Sequence, residues 1–337
     1  MLGKNILDVP EDKAHTVLMS DHATLRDATI YFSDYDHCKD FMTELRWPDG
    51  KVKCPVCGGE KVCYLAKNRL WKCYVIHPKP RFTLKTGTIF EDSPISLEKW
   101  LPAVWMLLNA KNGMSSWELH RALGVTQKTA WFMLHRIRLA MQSKTFNKLG
   151  GPGGGEVEVD ETFVGGKLKN MHKSRKRDVQ AEYGQKGAKA IVFGMLERGG
   201  TVRAEVIAER TKQQLQPIVR ENVEAGSQVY SDEYGSQWCM NSEYVHEFVN
   251  HLESYVRGNV HTNGMENFWS LLKRCLHGTY VSVEPFHLFR YVDEQAWRFN
   301  NRDMDDINRF VLGMRQIVGK RLTYAELTGK DGGVAHG

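Results

Sequence analysis

Four residues between positions 54 and 77 constrain the fold of this chain more than any other feature of its sequence. Cys54 and Cys57 form a Cys-x-x-Cys pair, and Cys73 follows after 15 intervening residues. This spacing is typical of a zinc ribbon, in which two short ligand pairs hold one tetrahedral ion. Ile76 stands where a fourth cysteine is usual. We therefore expect His77 to be the fourth zinc ligand.

Disulfides and redox chemistry explain these cysteines less well than zinc does. The chain has seven cysteines, an odd number, in a sequence without secretory features. A redox pair at Cys54 and Cys57 is the alternative, but no thioredoxin-like βαβ pattern surrounds it. Cys63 competes with His77 for the fourth position, and we expect it to be a small buried side chain instead. Four protein ligands leave no open position, so the predicted zinc is structural.

Length and charge restrict the class of protein. No stretch approaches about 18 consecutive apolar residues, which argues against a transmembrane helix, and the N-terminus lacks the apolar core of a signal peptide. We expect a soluble, intracellular protein. The net charge of +6 is modest, but basic residues cluster in one segment. A solvated loop and a phosphate-binding loop both remain open for this segment, which contains Lys173, Arg175, Lys176 and Arg177.

A glycine-rich run at 149–155 has neither helix nor strand propensity and predicts a linker. Helical patterns precede it, whereas three strands, a helix, a strand and further helices follow it, as in an α/β domain with a mixed sheet. The predicted order is an N-terminal arm and helix (1–47), a zinc ribbon (48–92), a helical region (93–148), the linker (149–155), an α/β domain (156–310) and a C-terminal tail (311–337).

The helical region contains the pattern of a helix-turn-helix. One helix begins after Ser115 and ends at Gly124, and Thr126 is placed to cap the next. Such motifs contact base edges from the first turn of the second helix and contact phosphates nearby. An ordinary helical hairpin is the alternative. The side chains predicted to bind DNA are Gln127, Lys128 and Thr129 at base edges, and Arg136 and Arg138 at phosphates.

Three carboxylates stand at positions suited to a divalent cation. Asp160 lies in a predicted strand over 156–164, Asp232 ends a short strand, and Glu266 lies on a predicted helix. Hard divalent ions need oxygen ligands that converge from different elements. Glu161 and Glu233 are acidic neighbours of the two aspartates, so the residue of each pair that faces the site stays open. Adjacent residues on an extended strand face opposite sides.

The helix that carries Glu266 adds two further candidates. Lys273 follows Glu266 by seven residues, or two helical turns, so both project from one face. A cation at this position can hold a phosphate beside bound metal. Asn263 precedes Glu266 by three residues and competes with it as a metal ligand. We favour Glu266, because a carboxylate binds Mg²⁺ better than an amide does.

In their order and spacing these motifs resemble bacterial insertion-sequence transposases of the DDE superfamily, and more narrowly the insertion-sequence family numbered fifteen ninety-five. The resemblance extends over about residues 35–302. The matching segments are Cys54-Pro55-x-Cys57, Gly87–Glu91, Leu123–Gln127, Val159–Thr162, Tyr230–Glu233 and His261–Lys273. The resemblance implies an RNase H-like α/β catalytic core behind a zinc ribbon and a helical DNA-binding region, with Asp160, Asp232, Glu266 and Lys273 as its catalytic set.

The resemblance also implies an activity and its requirements. Two Mg²⁺ or Mn²⁺ ions would be held by Asp160, Asp232 and Glu266 for strand cleavage and strand transfer. The DNA partners would be the element's inverted-repeat ends and target DNA, with a homodimer or larger assembly to hold two ends, in the cytoplasm at the nucleoid. Two alternatives stay open, namely a catalytically silent DNA-binding regulator and a nuclease without strand transfer.

Overall fold

The computed structural model describes residues 24–142, 147–150, 155–165, 172–174, 176–177, 189–232, 244–249 and 262–330, without the side chains of Asp232, His246, Phe248 and Val249. The chain forms two compact units. The first comprises the described residues up to Met141 and those from Met304 onward, and the second runs from Gln142 to Asp303. Among the described residues, no helix has the length and apolar character needed to cross a membrane.

The elements are numbered here in chain order. The helices are α1 (Leu25–Tyr31), α2 (Tyr35–Arg46), α3 (Leu97–Asn109), α4 (Ser116–Leu123), α5 (Gln127–Met141), α6 (Lys212–Asn222), α7 (Asn263–Arg274), α8 (Leu288–Asn300), α9 (Asp306–Arg315) and α10 (Tyr324–Leu327). The strands are β1 (Val62–Leu65), β2 (Leu70–Cys73), β3 (Arg81–Phe82), β4 (Glu156–Val164), β5 (Ala190–Glu197), β6 (Val202–Ile207), β7 (Gln228–Asp232) and β8 (Val245–Val249).

The first unit combines a small antiparallel sheet, β1-β2-β3, with a helical core. Its core contains Phe310 of α9, whose ring lies 5.6 Å from Phe32, 5.6 Å from Phe41 and 5.2 Å from Trp105. The backbone that follows α9 is also hydrogen-bonded to the first unit, because the Ile89 amide donates to the Ile317 carbonyl at 3.2 Å. The C-terminal segment therefore belongs to the first unit from Met304 onward, whereas the sequence predicted that the α/β domain continued to residue 310.

Helix α4 begins and ends where the sequence predicts, and α5 begins where it predicts. Ser115 and Glu118 form a reciprocal capping box at the start of α4. Gly124 ends that helix with φ of 60°, a left-handed conformation that favours glycine. Thr126 then caps α5, because its Oγ1 accepts the Thr129 amide at 3.1 Å. The two helices pack at this turn through buried Leu119 and other apolar side chains.

The second unit is built on a five-stranded mixed sheet in the order β6-β5-β4-β7-β8. Strand β5 is antiparallel to both β4 and β6, whereas β4, β7 and β8 run parallel to one another. This sheet with flanking helices agrees with the α/β domain that the sequence predicts. The unit begins at Gln142, before the glycine-rich run, and Leu149 at the start of that run is buried in its core. The predicted boundary at the linker is therefore displaced to Gln142.

Alternating residues of β4 and β5 pack against different helices. Val157 and Val159 contribute to a core with α6, whereas Val192 contributes to a core with α7 and α8. Helix α7 lies unusually close to the sheet at Gly194, where a Cβ atom would stand 2.7 Å from the ring of Trp269. Gly194 is the register partner of Asp160. This close packing brings the Trp269 ring to the middle of the sheet.

Candidate functional site

The predicted zinc ligands converge in the first unit. Cys54 Sγ lies 3.5 Å from His77 Nε2, and Cys57 Sγ lies 3.7 Å from Cys73 Sγ. All four ligand atoms lie within 4.8 Å of one another. Tetrahedral zinc, with bonds of about 2.3 Å to sulfur and about 2.0 Å to nitrogen, requires separations of about 3.8 Å between sulfurs and about 3.5 Å between sulfur and nitrogen. The donor set therefore fits one structural zinc ion.

Local backbone geometry places these thiols. The Gly58 amide donates to the Cys54 carbonyl at 2.8 Å, and Gly58 itself has φ of 72°. The Gly59 amide donates to Cys57 Sγ at 3.4 Å, which lowers the pKa of that thiol. Cys63 lies on β1, outside the cluster, and is exposed rather than buried as predicted. His77 is therefore the fourth member of the group.

Three side chains predicted to contact bases lie at the start of α5. Lys128 is exposed, while Gln127 and Thr129 are half-buried. Gln127 Nε2 donates to Ser116 Oγ at 2.8 Å, which ties the first turn of α5 to the first turn of α4. This turn thus presents polar groups on the surface of the first unit. Their contact with base edges stays a prediction.

The predicted phosphate contacts of Arg136 and Arg138 were wrong. Arg136 is 4% exposed, and its guanidinium donates to the carbonyls of Leu322 at 3.1 Å and Glu91 at 2.9 Å. Arg138 is 1% exposed. The Arg136 guanidinium is held by these two carbonyls and Arg138 is buried, so neither side chain is exposed to a DNA backbone. Helical periodicity predicts which residues of α5 lie on the same side of the helix. Segments distant in the sequence determine which of these sides are buried.

The basic segment of the second unit is described in part. Lys173 and Arg177 are exposed, and Lys176 is half-buried. The Lys176 amide donates to the carbonyl of His172 at 2.8 Å, which forms a helical turn. Arg175 lies outside the described residues. The two exposed cations leave the prediction of phosphate binding in place.

The structure distinguishes the two acidic residues at the centre of β4. Asp160 faces α7, where its Oδ2 accepts a hydrogen bond from Trp269 Nε1 at 2.9 Å. Its Oδ1 accepts from the Glu161 amide at 2.8 Å. The Glu161 carboxylate turns to the other face of the sheet and pairs with Arg210 at 2.7 Å. Asp160 is therefore the member of the pair that faces the helix of Glu266.

The register of the parallel strands relates Asp160 to Asp232. Val157 pairs with Val229 and Glu158 pairs with Tyr230. The same offset, continued by two residues, aligns Asp160 with Asp232, which ends β7. Glu233 lies outside the described residues, as does the side chain of Asp232. The two aspartates thus each lie two residues beyond the last paired positions of these neighbouring parallel strands.

Helix α7 presents its polar candidates on one side. Its buried residues are Met265, Phe268, Trp269 and Leu272. Asn263, Glu266 and Lys273 are all exposed. Glu266 and Lys273 therefore share the exposed side of the helix, as their spacing predicts. Exposure does not distinguish Glu266 from Asn263 as a metal ligand.

Sequence analysis did not single out Glu158, a carboxylate that organises the same face. Its side chain is 1% exposed and accepts the Met265 amide of α7 at 2.9 Å. Arg198 Nε donates to its other oxygen at 3.0 Å. Glu158 thus satisfies an orphan amide at the helix N-terminus, where Thr262 makes no side-chain cap. Its position two residues before Asp160, on the same strand face, is the signal that could have indicated it.

Two protein families match this chain, one in each of its two units. Residues 152–300 match the family described as ISXO2-like transposase domain, and residues 33–75 match the family described as transposase zinc-ribbon domain. The first match includes β4, β7 and α7. The second includes Cys54, Cys57 and Cys73 but ends before His77.

Two curated relatives have similar sequences. An uncharacterized protein in the transposable element ISH50 of Halobacterium salinarum is 28% identical over 249 residues, which cover 70% of this chain and 81% of that protein. An uncharacterized transposase-like protein of Haemophilus influenzae is 35% identical over 91 residues, which cover 27% of this chain and 73% of that protein.

Proposed function

The chain belongs to the IS1595 family of transposases, with an ISXO2-like DDE domain and an N-terminal transposase zinc ribbon, and on that premise we propose that it cuts and rejoins DNA at the ends of its insertion sequence. The observation that carries this proposal is the position of Asp160. It lies on the central strand of the five-stranded mixed sheet and faces the helix that bears Glu266 and Lys273.

The proposed metal ligands are Asp160, Asp232 and Glu266, all of which offer carboxylate oxygens. This donor chemistry fits Mg²⁺ or Mn²⁺. When bound, a pair of such ions would supply charge stabilisation for the attacking and leaving oxygens of a phosphoryl transfer. Trp269 restricts the Asp160 carboxylate by donating to one of its oxygens at 2.9 Å. Lys273 would neutralise charge on the reacting phosphate from the exposed side of α7.

The first unit supplies the proposed DNA recognition. Its zinc ribbon, closed by Cys54, Cys57, Cys73 and His77, is structural, and the start of α5 offers Gln127, Lys128 and Thr129 to base edges. Lys173, Lys176 and Arg177 of the second unit would contact phosphates, with Arg175 between them. Because an element has two ends, we propose that at least two copies of the chain act together on DNA.

A joining assay tests the proposed function. Purified protein with Mn²⁺, a labelled duplex carrying the inverted repeat that flanks the gene, and supercoiled plasmid would be incubated beside Asp232→Asn. We expect the wild type, but not the variant, to transfer label to plasmid. Free 3′ ends without joined products would support a nuclease instead. Specific binding without nicking in either protein would support a catalytically silent regulator.

The hydrogen bond from Trp269 to Asp160 has a measurable consequence under this proposal. Trp269→Phe keeps an aromatic ring in the core but removes the donor, and a hydrogen bond to a charged group is worth about 1.5–3 kcal/mol. We expect the rate of strand cleavage to fall by about tenfold or more, with a higher Mg²⁺ concentration at half-maximal rate.

Phe268→Leu is the matched control for this variant. Phe268 is also buried on α7, where its ring packs beside Trp269 and Phe299, but it has no group that could donate to Asp160. We expect this control to lower the melting temperature without changing the Mg²⁺ concentration at half-maximal rate. An equal rise in that concentration for both variants would show that Trp269 acts only through packing.

A further inference from the structure

A C-terminal segment of the chain packs along one face of α5. Residues at every fourth position of a helix lie on one face, and Lys128, Phe132, Arg136 and Ala140 have this spacing. Each of them contacts the segment 320–327, here called the C-terminal strap. Neither family match extends to this region, because one ends at residue 75 and the other covers residues 152–300.

The strap runs antiparallel to α5. Lys320 Nζ donates to the carbonyl of Ala140 at 3.0 Å, near the end of the helix. Arg136 Nε donates to the carbonyl of Leu322 at 3.1 Å, one turn earlier along α5. Later residues of the strap therefore contact earlier residues of α5.

In the strap, Tyr324 contacts two side chains of the first half of α5. Its ring lies edge-on to that of Phe132, with centroids 5.7 Å apart. The ammonium group of Lys128 lies 4.7 Å from the centroid of the same ring. Lys128 is exposed and Tyr324 is 37% exposed. This cation–π pair thus lies at the surface, beside the turn that we propose contacts bases.

The strap is itself held in place. Thr323 and Glu326 form a capping box at the start of α10, with the Glu326 amide donating to Thr323 Oγ1 at 3.2 Å. Leu322 and Leu327 are buried on either side of Tyr324. These anchors restrict the backbone that carries the Tyr324 ring, so the ring offers Lys128 a defined partner.

We propose that Tyr324 is a positioning residue for DNA binding and that the C-terminal strap is part of the DNA-recognition surface. The tyrosine ring restricts a long and flexible side chain, and it leaves the ammonium group of Lys128 exposed to a phosphate or a base edge. This inference rests on the proposed DNA binding by α4 and α5. It adds to the DNA-recognition surface a segment that follows the catalytic domain in the sequence.

The test compares two substitutions of the same residue in the full-length protein. Tyr324→Leu keeps apolar packing against Phe132 but removes the aromatic face, whereas Tyr324→Phe keeps the face. Binding of a labelled inverted-repeat duplex and of an unrelated duplex would be measured by fluorescence anisotropy. We expect Tyr324→Leu to weaken binding of the repeat by about two- to fivefold, the range of an exposed cation–π pair, and Tyr324→Phe to bind as the wild type does.

A double-mutant cycle with Lys128→Met tests whether Tyr324 affects DNA binding through Lys128. If Tyr324 acts through Lys128, Tyr324→Leu should weaken binding no further in the Lys128→Met background. Independent, additive losses would overturn the proposal, and so would wild-type binding by Tyr324→Leu. A lower melting temperature with unchanged affinity would also overturn it. If the wild type itself fails to distinguish the repeat from the unrelated duplex, the proposed DNA recognition fails, and the inference fails with it.

Discussion

Asp160→Asn is expected to abolish strand cleavage while DNA binding is retained. A carboxylate that holds catalytic metal contributes several kcal/mol to transition-state stabilisation, so the rate should fall by about a thousandfold or more. Asparagine has nearly the same shape, and its single amide oxygen can keep one of the two hydrogen bonds that Asp160 accepts, for example the one from Trp269 Nε1. The fold should therefore survive the substitution. The measurement is single-turnover cleavage of the inverted-repeat duplex, with binding of the same duplex measured in parallel.

Glu161→Gln is the matched control for this experiment. Glu161 is the adjacent residue on the same strand, but its carboxylate pairs with Arg210 on the opposite face of the sheet. We expect this variant to cleave DNA at a rate within about threefold of the wild type, since a partly buried ion pair affects stability more than chemistry. Full activity of Asp160→Asn, or an equal loss in both variants, would refute the assignment of Asp160 as a metal ligand.

Loss of the zinc ligands should unfold the ribbon and remove its metal. In zinc-finger peptides, binding of structural zinc contributes about 10–16 kcal/mol of folding free energy, far more than so small a sheet could provide alone. We expect Cys54→Ser to reduce the bound zinc from one ion per chain to none. Binding of the inverted-repeat duplex should be lost as well. Metal content by mass spectrometry and DNA binding by anisotropy measure the two effects.

Cys63→Ser separates a ligand effect from the general effect of losing a cysteine. Cys63 lies on β1 of the same ribbon but is exposed and outside the ligand group. We expect this variant to retain one zinc ion per chain and wild-type affinity for DNA. Zinc loss in Cys63→Ser, or full zinc content in Cys54→Ser, would contradict the ligand set.

Features that depend on neighbouring residues could be predicted from the sequence. The Cys-x-x-Cys turn needs only a few consecutive residues, and its glycines supply the amides that the turn requires. The capping box at Ser115 and the turn at Gly124 are similarly local. The shared side of Glu266 and Lys273 follows from helical periodicity alone. For these features the covalent spacing determines the geometry, so the predicted positions agree with the structure.

Other features depend on which distant segments pack together, and only the tertiary structure decided them. Alternation along β4 indicates that Asp160 and Glu161 face opposite sides, but the packing of α7 determines which side carries the candidate site. Helical periodicity could not indicate that the segment around Leu322 covers Arg136 and removes it from the DNA-accessible surface. The same return of the chain brings Tyr324 to Lys128. Burial is a property of the whole packed unit, and no local pattern specifies it.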